Sequence, residues 1–158
     1  MDKDIYYMNE AINEAKKSLD EGGIPIGAVL VSNDKIVGRG HNRMIQEDSP
    51  ILHGEIDAIN NAGRLTYYEY MNSTLYTTLS PCPMCSGAIV LYNIPRIVVG
   101  ENVTLMGAEN FLESNNVEVK VLQMKKIRDI FDDFIKNRPE VWEKEKERVS
   151  NSTSCNSD

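Results

Sequence analysis

The sequence predicts a three-layer α/β/α domain, a mixed five-stranded sheet with helices on both faces and its last two strands parallel. Three observations predict it. Short apolar runs of strand composition alternate with amphipathic stretches of helical length. The first two strands are separated only by Ser32-Asn33-Asp34, a turn that makes them an antiparallel hairpin. The last two are separated by about sixteen residues, of which 107–114 look helical, and a crossover that holds a helix makes the strands it joins parallel.

Residues 4–21 form the first predicted helix, with Ile5, Met8, Ile12, Ala15 and Leu19 at three- and four-residue steps and Gly22-Gly23 as its stop. Gly27–Val31 and Lys35–Arg39 are the hairpin strands, followed by a polar loop over 40–51. A short helix is predicted over 53–62, with Ile56 and Ile59 inward and Gly63 ending it. Residues 73–79 have strand composition. Ser80-Pro81 opens a helix over 82–92, whose prolines fall near a first turn where no backbone donor is lost. Strands follow at 96–100 and 117–122, then a helix over 122–137 and a shorter one restarting at Pro139. Residues 1–149 make one domain, whereas 150–158 are rich in Ser and Asn and are expected to be a disordered tail.

Bulk properties narrow the function classes. The 158 residues are 41% hydrophobic and 26% charged, ordinary for a globular domain. No apolar run approaches the ~20 residues that span a bilayer, and the amino terminus has no signal-like stretch. A cytoplasmic protein without membrane partners is the expectation. Net charge is −7, with 24 acidic against 17 basic residues and no basic stripe. Because phosphate-backbone binding relies on Lys and Arg, this balance favours a small neutral substrate over a nucleic acid. Three cysteines without a secretory signal argue against a disulfide framework.

The chemistry lies in His53-Gly54-Glu55 and Pro81-Cys82-Pro83-Met84-Cys85. His53, Cys82 and Cys85 supply one imidazole and two thiolates for a Zn2+ ion. Three protein ligands leave the fourth tetrahedral position for water, as in catalytic zinc sites. Cys82 and Cys85 are three apart in a first helical turn, where free amides and the helix dipole favour thiolates. A structural zinc would need a fourth ligand, for which His41 and Cys155 are the candidates; Cys155 falls in the expected tail, whereas His41 stays open. A Cys-x-x-Cys redox pair would leave His53-Gly54-Glu55 unexplained. Glu55, two residues from a ligand, is poorly placed to bind the same metal, but its carboxylate reaches a water bound there. The H-x-E and P-C-x-x-C combination is a known signature of zinc-dependent nucleobase deaminases.

On these residues the chain resembles the cytidine deaminase superfamily, and more narrowly the fungal-type free cytosine deaminases. Further markers are Glu21 to Gly27, Gly38 to Asn42, Leu75 to Cys85, Gly100 to Val103 and Arg138 to Trp142, so the resemblance runs from about residue 5 to 147. It implies a cytidine-deaminase-like fold, a homodimer with one zinc per subunit, and hydrolysis of cytosine to uracil and ammonia in pyrimidine salvage, with zinc-bound hydroxide as nucleophile and Glu55 as proton shuttle. By position it implies that Asn42 hydrogen-bonds the pyrimidine edge and the Gly54 amide meets the ring carbonyl. The Ser80 carbonyl would take the exocyclic amine, and the Cys82 amide would support the attacking oxygen. Ile26, Leu79 and Trp142 would wall the ring under a lid formed by the carboxyl-terminal helix. Two positions depart from the pattern: Leu105 stands where those enzymes have an aromatic ring, and Glu145 where they have a lid Asp. Both bear on the identity of the base, so deamination of another free base such as guanine, or of tRNA adenosine, stands as an alternative.

Overall fold

The computed structural model describes residues 2–153 of the chain. In chain order the elements are α1 (Lys3–Asp20), β1 (Gly27–Ser32), β2 (Lys35–His41), α2 (Gly54–Ala62), α3 (Tyr67–Met71), β3 (Ser73–Leu79), α4 (Pro83–Leu91), β4 (Arg96–Glu101), α5 (Glu109–Ser114), β5 (Glu118–Val121), α6 (Lys125–Asn137) and α7 (Pro139–Thr153). The sheet order is β2-β1-β3-β4-β5. β1 is antiparallel to both β2 and β3, whereas β3, β4 and β5 run parallel.

Alternation along the central strands builds the two outer layers. Val29, Val31, Tyr76 and Val98 face Tyr7, Met8, Ala11 and Ile12 of α1 and Ile127 of α6. Their neighbours Ala28, Leu30, Leu75, Ile97 and Val99 face Ala58 and Ile59 of α2, Ile89 of α4 and Leu112 of α5. A side-chain period of two thus feeds opposite faces of one sheet. The hairpin turns on Asn33 and Asp34, both at positive φ (49° and 61°), residue types that tolerate the left-handed region a tight hairpin needs. Gly40 brings β2 against α2: a Cβ there would collide with the backbone at Asp57 and Ala58. A third cluster (Ile24, Leu79, Phe131, Phe134 and Trp142) closes the carboxyl end of the parallel strands, with Phe131 and Trp142 edge to face at 5.0 Å.

Several expectations are corrected. β2 extends through His41, so the polar loop begins two residues later than 40. α3 was not anticipated; its Thr66/Glu69 capping box is a local signal strong enough to start a one-turn helix. α6 starts at Lys125 and not at 122. α7 is longer than α6, 15 residues against 13, and it continues through Thr153, so residues 150–153 are helical where a disordered tail was expected. The Lys/Glu/Arg-rich run after Trp142 consists of good helix formers with i,i+3 ion pairs, Lys146–Glu143 and Arg148–Glu145. The rest of the expected tail, 154–158 with Cys155, lies outside the described residues. No helix among the described residues is long and apolar enough to cross a membrane.

Candidate active site

The site forms where α2 and α4 begin, beside the carboxyl end of β3. His53 is the N-cap of α2 and Cys82 the N-cap of α4, with Pro83 at the first helical position. Both residues therefore sit in extended backbone just outside a helix, with side chains free to point across the helix ends. Asp57 fixes this arrangement from one turn into α2. Its buried carboxylate accepts from the His41 amide (3.0 Å) and the Arg43 guanidinium (2.7 Å), which ties α2 to the end of β2 and sets Asn42 beside His53.

The nitrogen and sulfur atoms of His53, Cys82 and Cys85 lie within 4.8 Å of one another, and His53 Nδ1 is 3.5 Å from Cys82 Sγ. A tetrahedral zinc, with bonds of about 2.0–2.1 Å to nitrogen and 2.3 Å to sulfur, sets such ligands roughly 3.6 Å apart. The donor set also fits in charge. The Cys82 thiol is lowered to about 4 by hydrogen bonding from Cys85, against the opposing effect of burial and with help from His53. The Cys85 thiol is pushed far up, first by that same hydrogen bond and then by burial and the nearby Glu55. One thiolate thus forms readily, and a divalent cation is what lets the second join it. For His53, burial opposes protonation, but the Cys82 contact outweighs it and raises the imidazole. His41 is not part of this group: its ring lies between Glu21 (2.5 Å) and Glu14 (3.6 Å) of and just after α1.

Glu55 sits in the first turn of α2 and is buried. Thr77 Oγ1 donates to its Oε1 at 2.8 Å, and the Cys85 thiol lies 3.4 Å from its Oε2. Burial pushes the carboxyl up, and the neighbouring Cys82 charge pushes the same way. A bound cation would act in the opposite direction.

Glu55, His53 and Cys82 open into a cavity of about 60 Å³. At roughly 10–15 Å³ per water on the same scale, this is room for a few waters or one small ring. Of the residues expected to bind substrate, Ile26, Asn42, Leu79, Ser80, Cys82, Leu105, Trp142 and Glu145 all line it. Gly54 does not; it is buried against Ile26 and the Asn42 backbone. Asn42 both holds a turn and lines the cavity: its Oδ1 accepts from the Met44 amide at 3.1 Å, which leaves its NH2 group, 3.4 Å from Met44 Sδ, as the donor for a ligand. Ile24, Met44, Lys146 and Arg148 also line the cavity and were not singled out from sequence. Ile24 carries a legible signal, two residues before Ile26 in an extended run, whereas the two cations looked like ordinary solvated helix surface.

Comparison with known proteins agrees with this geometry. Residues 1–101 match the family profile of the cytidine and deoxycytidylate deaminase zinc-binding region. Together with the three-ligand cluster and the mixed sheet, this defines a zinc-binding deaminase domain, and the chain belongs to that family. It is 51% identical over 133 residues to the cytosine deaminase of Candida albicans, covering 84% of this chain and 89% of that one. It is 40% identical over 113 residues to a tRNA-specific adenosine deaminase of Streptococcus pyogenes, 71% of each chain. The solved guanine deaminase of Bacillus subtilis superposes with a TM-score of 0.55 at 27% identity, over 72% of this chain and 69% of that one.

Proposed function

We infer that this protein is a zinc-dependent cytosine deaminase that hydrolyses the free base to uracil and ammonia. The reading is carried by one observation: a buried carboxylate stands beside three zinc-type ligands, and it opens with His53 and Cys82 into a cavity sized for a single ring and walled by Trp142, Leu79 and Ile26. The identity with the Candida albicans cytosine deaminase over most of both chains supports cytosine as the base.

Zinc held by His53, Cys82 and Cys85 would lower the pKa of a bound water towards about 7 and so supply a nucleophile at neutral pH. The chain's own residues do the rest. Glu55 accepts one proton from the attacking water and delivers it to the ring nitrogen, so that the amine-bearing carbon becomes more electrophilic; it then takes the remaining proton from the added oxygen and passes it to the amine, which leaves as ammonia. Thr77 keeps its carboxylate turned towards the ligands. Asn42 donates to the ring carbonyl edge. The Ser80 carbonyl accepts from the exocyclic amine, and the Cys82 amide supports the attacking oxygen. Trp142, Leu105 and Glu145 close the far side, with α7 as a lid that excludes water. That cavity, covered by α7 and sized for one ring, suits a free base better than a polynucleotide.

We further read the protein as a homodimer that works in cytoplasmic pyrimidine salvage. Exposed Ile51, Met84 and Leu91 beside and on the ligand-bearing helices support a partner surface there, and sedimentation of the zinc-loaded protein tests it. The activity is tested by ammonia release from cytosine, 5-methylcytosine, cytidine, guanine, adenine and tRNA, with zinc measured on the same sample. Cytosine is expected to be turned over fastest at about one zinc per chain. Faster release from guanine or from tRNA adenosine would overturn the choice of base. Cys82→Ser is expected to lose both zinc and turnover, since it removes a ligand.

A further inference from the structure

Three parallel strands stop at the same end of the sheet, with a polar residue close behind each: Ser80 directly after β3, Asn102 directly after β4 and Gln123 two residues after β5. A single buried side chain joins them. Glu109, at the start of α5, accepts from Ser80 Oγ at 2.5 Å through Oε2, and Asn102 Nδ2 donates to both of its oxygens at 3.2 Å. Asn102 Oδ1 in turn accepts from Gln123 Nε2 at 2.7 Å. The same hub staples the loop 102–108 to the turn before α4. The Gly107 amide donates to Ser80 Oγ (2.9 Å) and the Ala108 amide to the Pro81 carbonyl (2.8 Å). The loop comes so close here that a Cβ on Gly107 would collide with the Pro81 carbonyl. At its other end Glu101 takes the Val103 and Thr104 amides at 2.7 and 2.9 Å. Leu105 hangs between these two anchors and lines the cavity, as does Ser80.

We propose that Glu109 is a positioning residue for the deamination reaction: it fixes the Ser80 turn and the Leu105 loop relative to each other and so shapes the wall that receives the base. It touches neither cavity nor ligands and acts through Ser80 and Leu105. Donor–acceptor arithmetic explains why an acid is needed. Both partners present donors to it, Ser80 through O–H and Asn102 through N–H, and Ser80 Oγ already accepts from Gly107. A carboxylate satisfies both, whereas an amide in its place turns one acceptor into a donor and leaves a buried group unpaired. The carboxyl end of parallel strands is where ligands bind in open α/β sheets, so an error here reaches substrate and not only stability.

The role rests on the cytosine deaminase reading, and the experiment separates the two. Zinc-loaded wild type, Glu109→Gln, Asn102→Asp and the double variant are compared by kcat/KM for cytosine and 5-methylcytosine, by zinc content and by melting temperature. Glu109→Gln sets donor against donor, and Asn102→Asp sets carboxylate against carboxylate. The double exchange again sets a donor against an acceptor at every bond and restores the net charge, because the new amide at 109 donates to the new carboxylate at 102, reversing that one bond, and the carboxylate still accepts from Gln123. Each single variant is expected to lose ~10- to 100-fold in kcat/KM at unchanged zinc content, the scale of an ångström-level misplacement. Each is also expected to discriminate less against the larger base, because the Leu105 loop is released. The double variant is expected to recover both properties. Should either single variant fail to fold, Asn102→Ala removes the strut without juxtaposing like groups, and the same loss is expected. Singles, or Asn102→Ala, within twofold of an active wild type would overturn the role even if melting temperature fell. Loss in the singles with no recovery in the double would overturn it too. A zinc-loaded wild type that is inert towards cytosine would overturn the activity itself, and this role with it.

Discussion

Tyr76 and Thr77 are neighbours on β3, and their hydroxyls serve two buried acids on opposite faces of the sheet. Tyr76 donates to Asp4 of α1 at 2.9 Å, and Thr77 donates to Glu55 of α2 at 2.8 Å. Both acids are largely hidden from solvent, at 7% and 4% exposure, but Glu55 lies deeper, and their protons behave oppositely. Asp4 is held well below the usual carboxylate range, chiefly by the paired hydrogen bonds of Arg96 (2.9 Å each) and also by Lys120 (2.7 Å). Among the described residues no Arg or Lys pairs with Glu55. Burial dominates there, and the Cys82 thiolate adds to it, so the carboxyl is raised, and the nearby His53 offsets only part of that. Asp4 is a saturated structural acid that fastens α1 to β3, β4 and β5. Glu55 is left short of counter-charge beside a metal-type ligand set, which is where a functional acid is found.

The comparison predicts opposite dissociations of activity from stability. Glu55→Gln keeps the shape and the zinc ligands, removes a buried acid and abolishes proton transfer. Turnover of cytosine is expected to fall by ~10³-fold or more, towards the upper range for general acid–base catalysis. Zinc content and melting temperature should stay level, or the latter should rise. Near-normal turnover in a zinc-loaded variant would end the assignment of Glu55. Thr77→Val is the next step down. It deprives Glu55 of its hydroxyl donor without touching a ligand, and kcat is expected to drop ~10-fold, with KM little changed, as a carboxylate loses its orientation. A change in KM alone would show that Thr77 shapes the cavity and does not hold the acid.

The two halves of this contrast were unequally legible in the sequence. His53, Glu55, Cys82 and Cys85 stand in two short motifs whose spacing is set by helix starts, so their convergence could be anticipated. The parallel direction of the last two strands was legible from one long crossover, whereas the strand order and the parallel pairing of β3 with β4 were not. The Asp4 clamp was not. Asp4, Arg96 and Lys120 are ordinary surface-type residues 92 and 116 positions apart, and only the register of α1 across β4 and β5 brings them together. Arg148 and Lys146 escaped notice for a related reason. On a helix of mixed charge nothing local marks the turn that faces a cavity, and that depends on how α7 docks through Trp142 onto Phe131 of α6. The Thr66-x-x-Glu69 box shows the converse, a local signal that was present and not used.

Asp4→Asn tests the structural half. The amide keeps one acceptor but presents N–H to a guanidinium or an ammonium. A loss of about 1.5–3 kcal/mol near neutral pH is expected, the range for hydrogen bonds to charged groups. Turnover per zinc at 25 °C should be unchanged. The sign of the pH dependence follows from the depressed carboxyl. Folded Asp4 binds its proton less readily than the unfolded chain, whose reference value is about 3.9. Its contribution is therefore complete above that value and is lost as pH falls below it towards the folded-state value. The gap between wild type and variant in urea melts should be constant from about pH 6 to 8 and should close as pH drops below about 4. A gap that widened in acid would mean that the folded protein favours protonated Asp4.

Tyr76→Phe is the finest cut. It removes one of the bonds to Asp4 and leaves the guanidinium and ammonium contacts in place. The ring keeps its packing against Tyr7, with centroids 5.2 Å apart. Because the charge on Asp4 stays paired, the expected loss is about 0.5–1.5 kcal/mol, an ordinary hydrogen bond. The acid limb of the stability profile should keep its position, since the cations and not the hydroxyl chiefly hold the carboxyl down. Set beside Thr77→Val, the pair asks whether adjacent hydroxyls on one strand divide cleanly between the two acids. Tyr76→Phe should cost stability and spare kcat, and Thr77→Val should cost kcat most. If Tyr76→Phe also lowered kcat at full zinc occupancy, the α1 face would be coupled to the site through β3, and the division between a structural and a functional acid would fail.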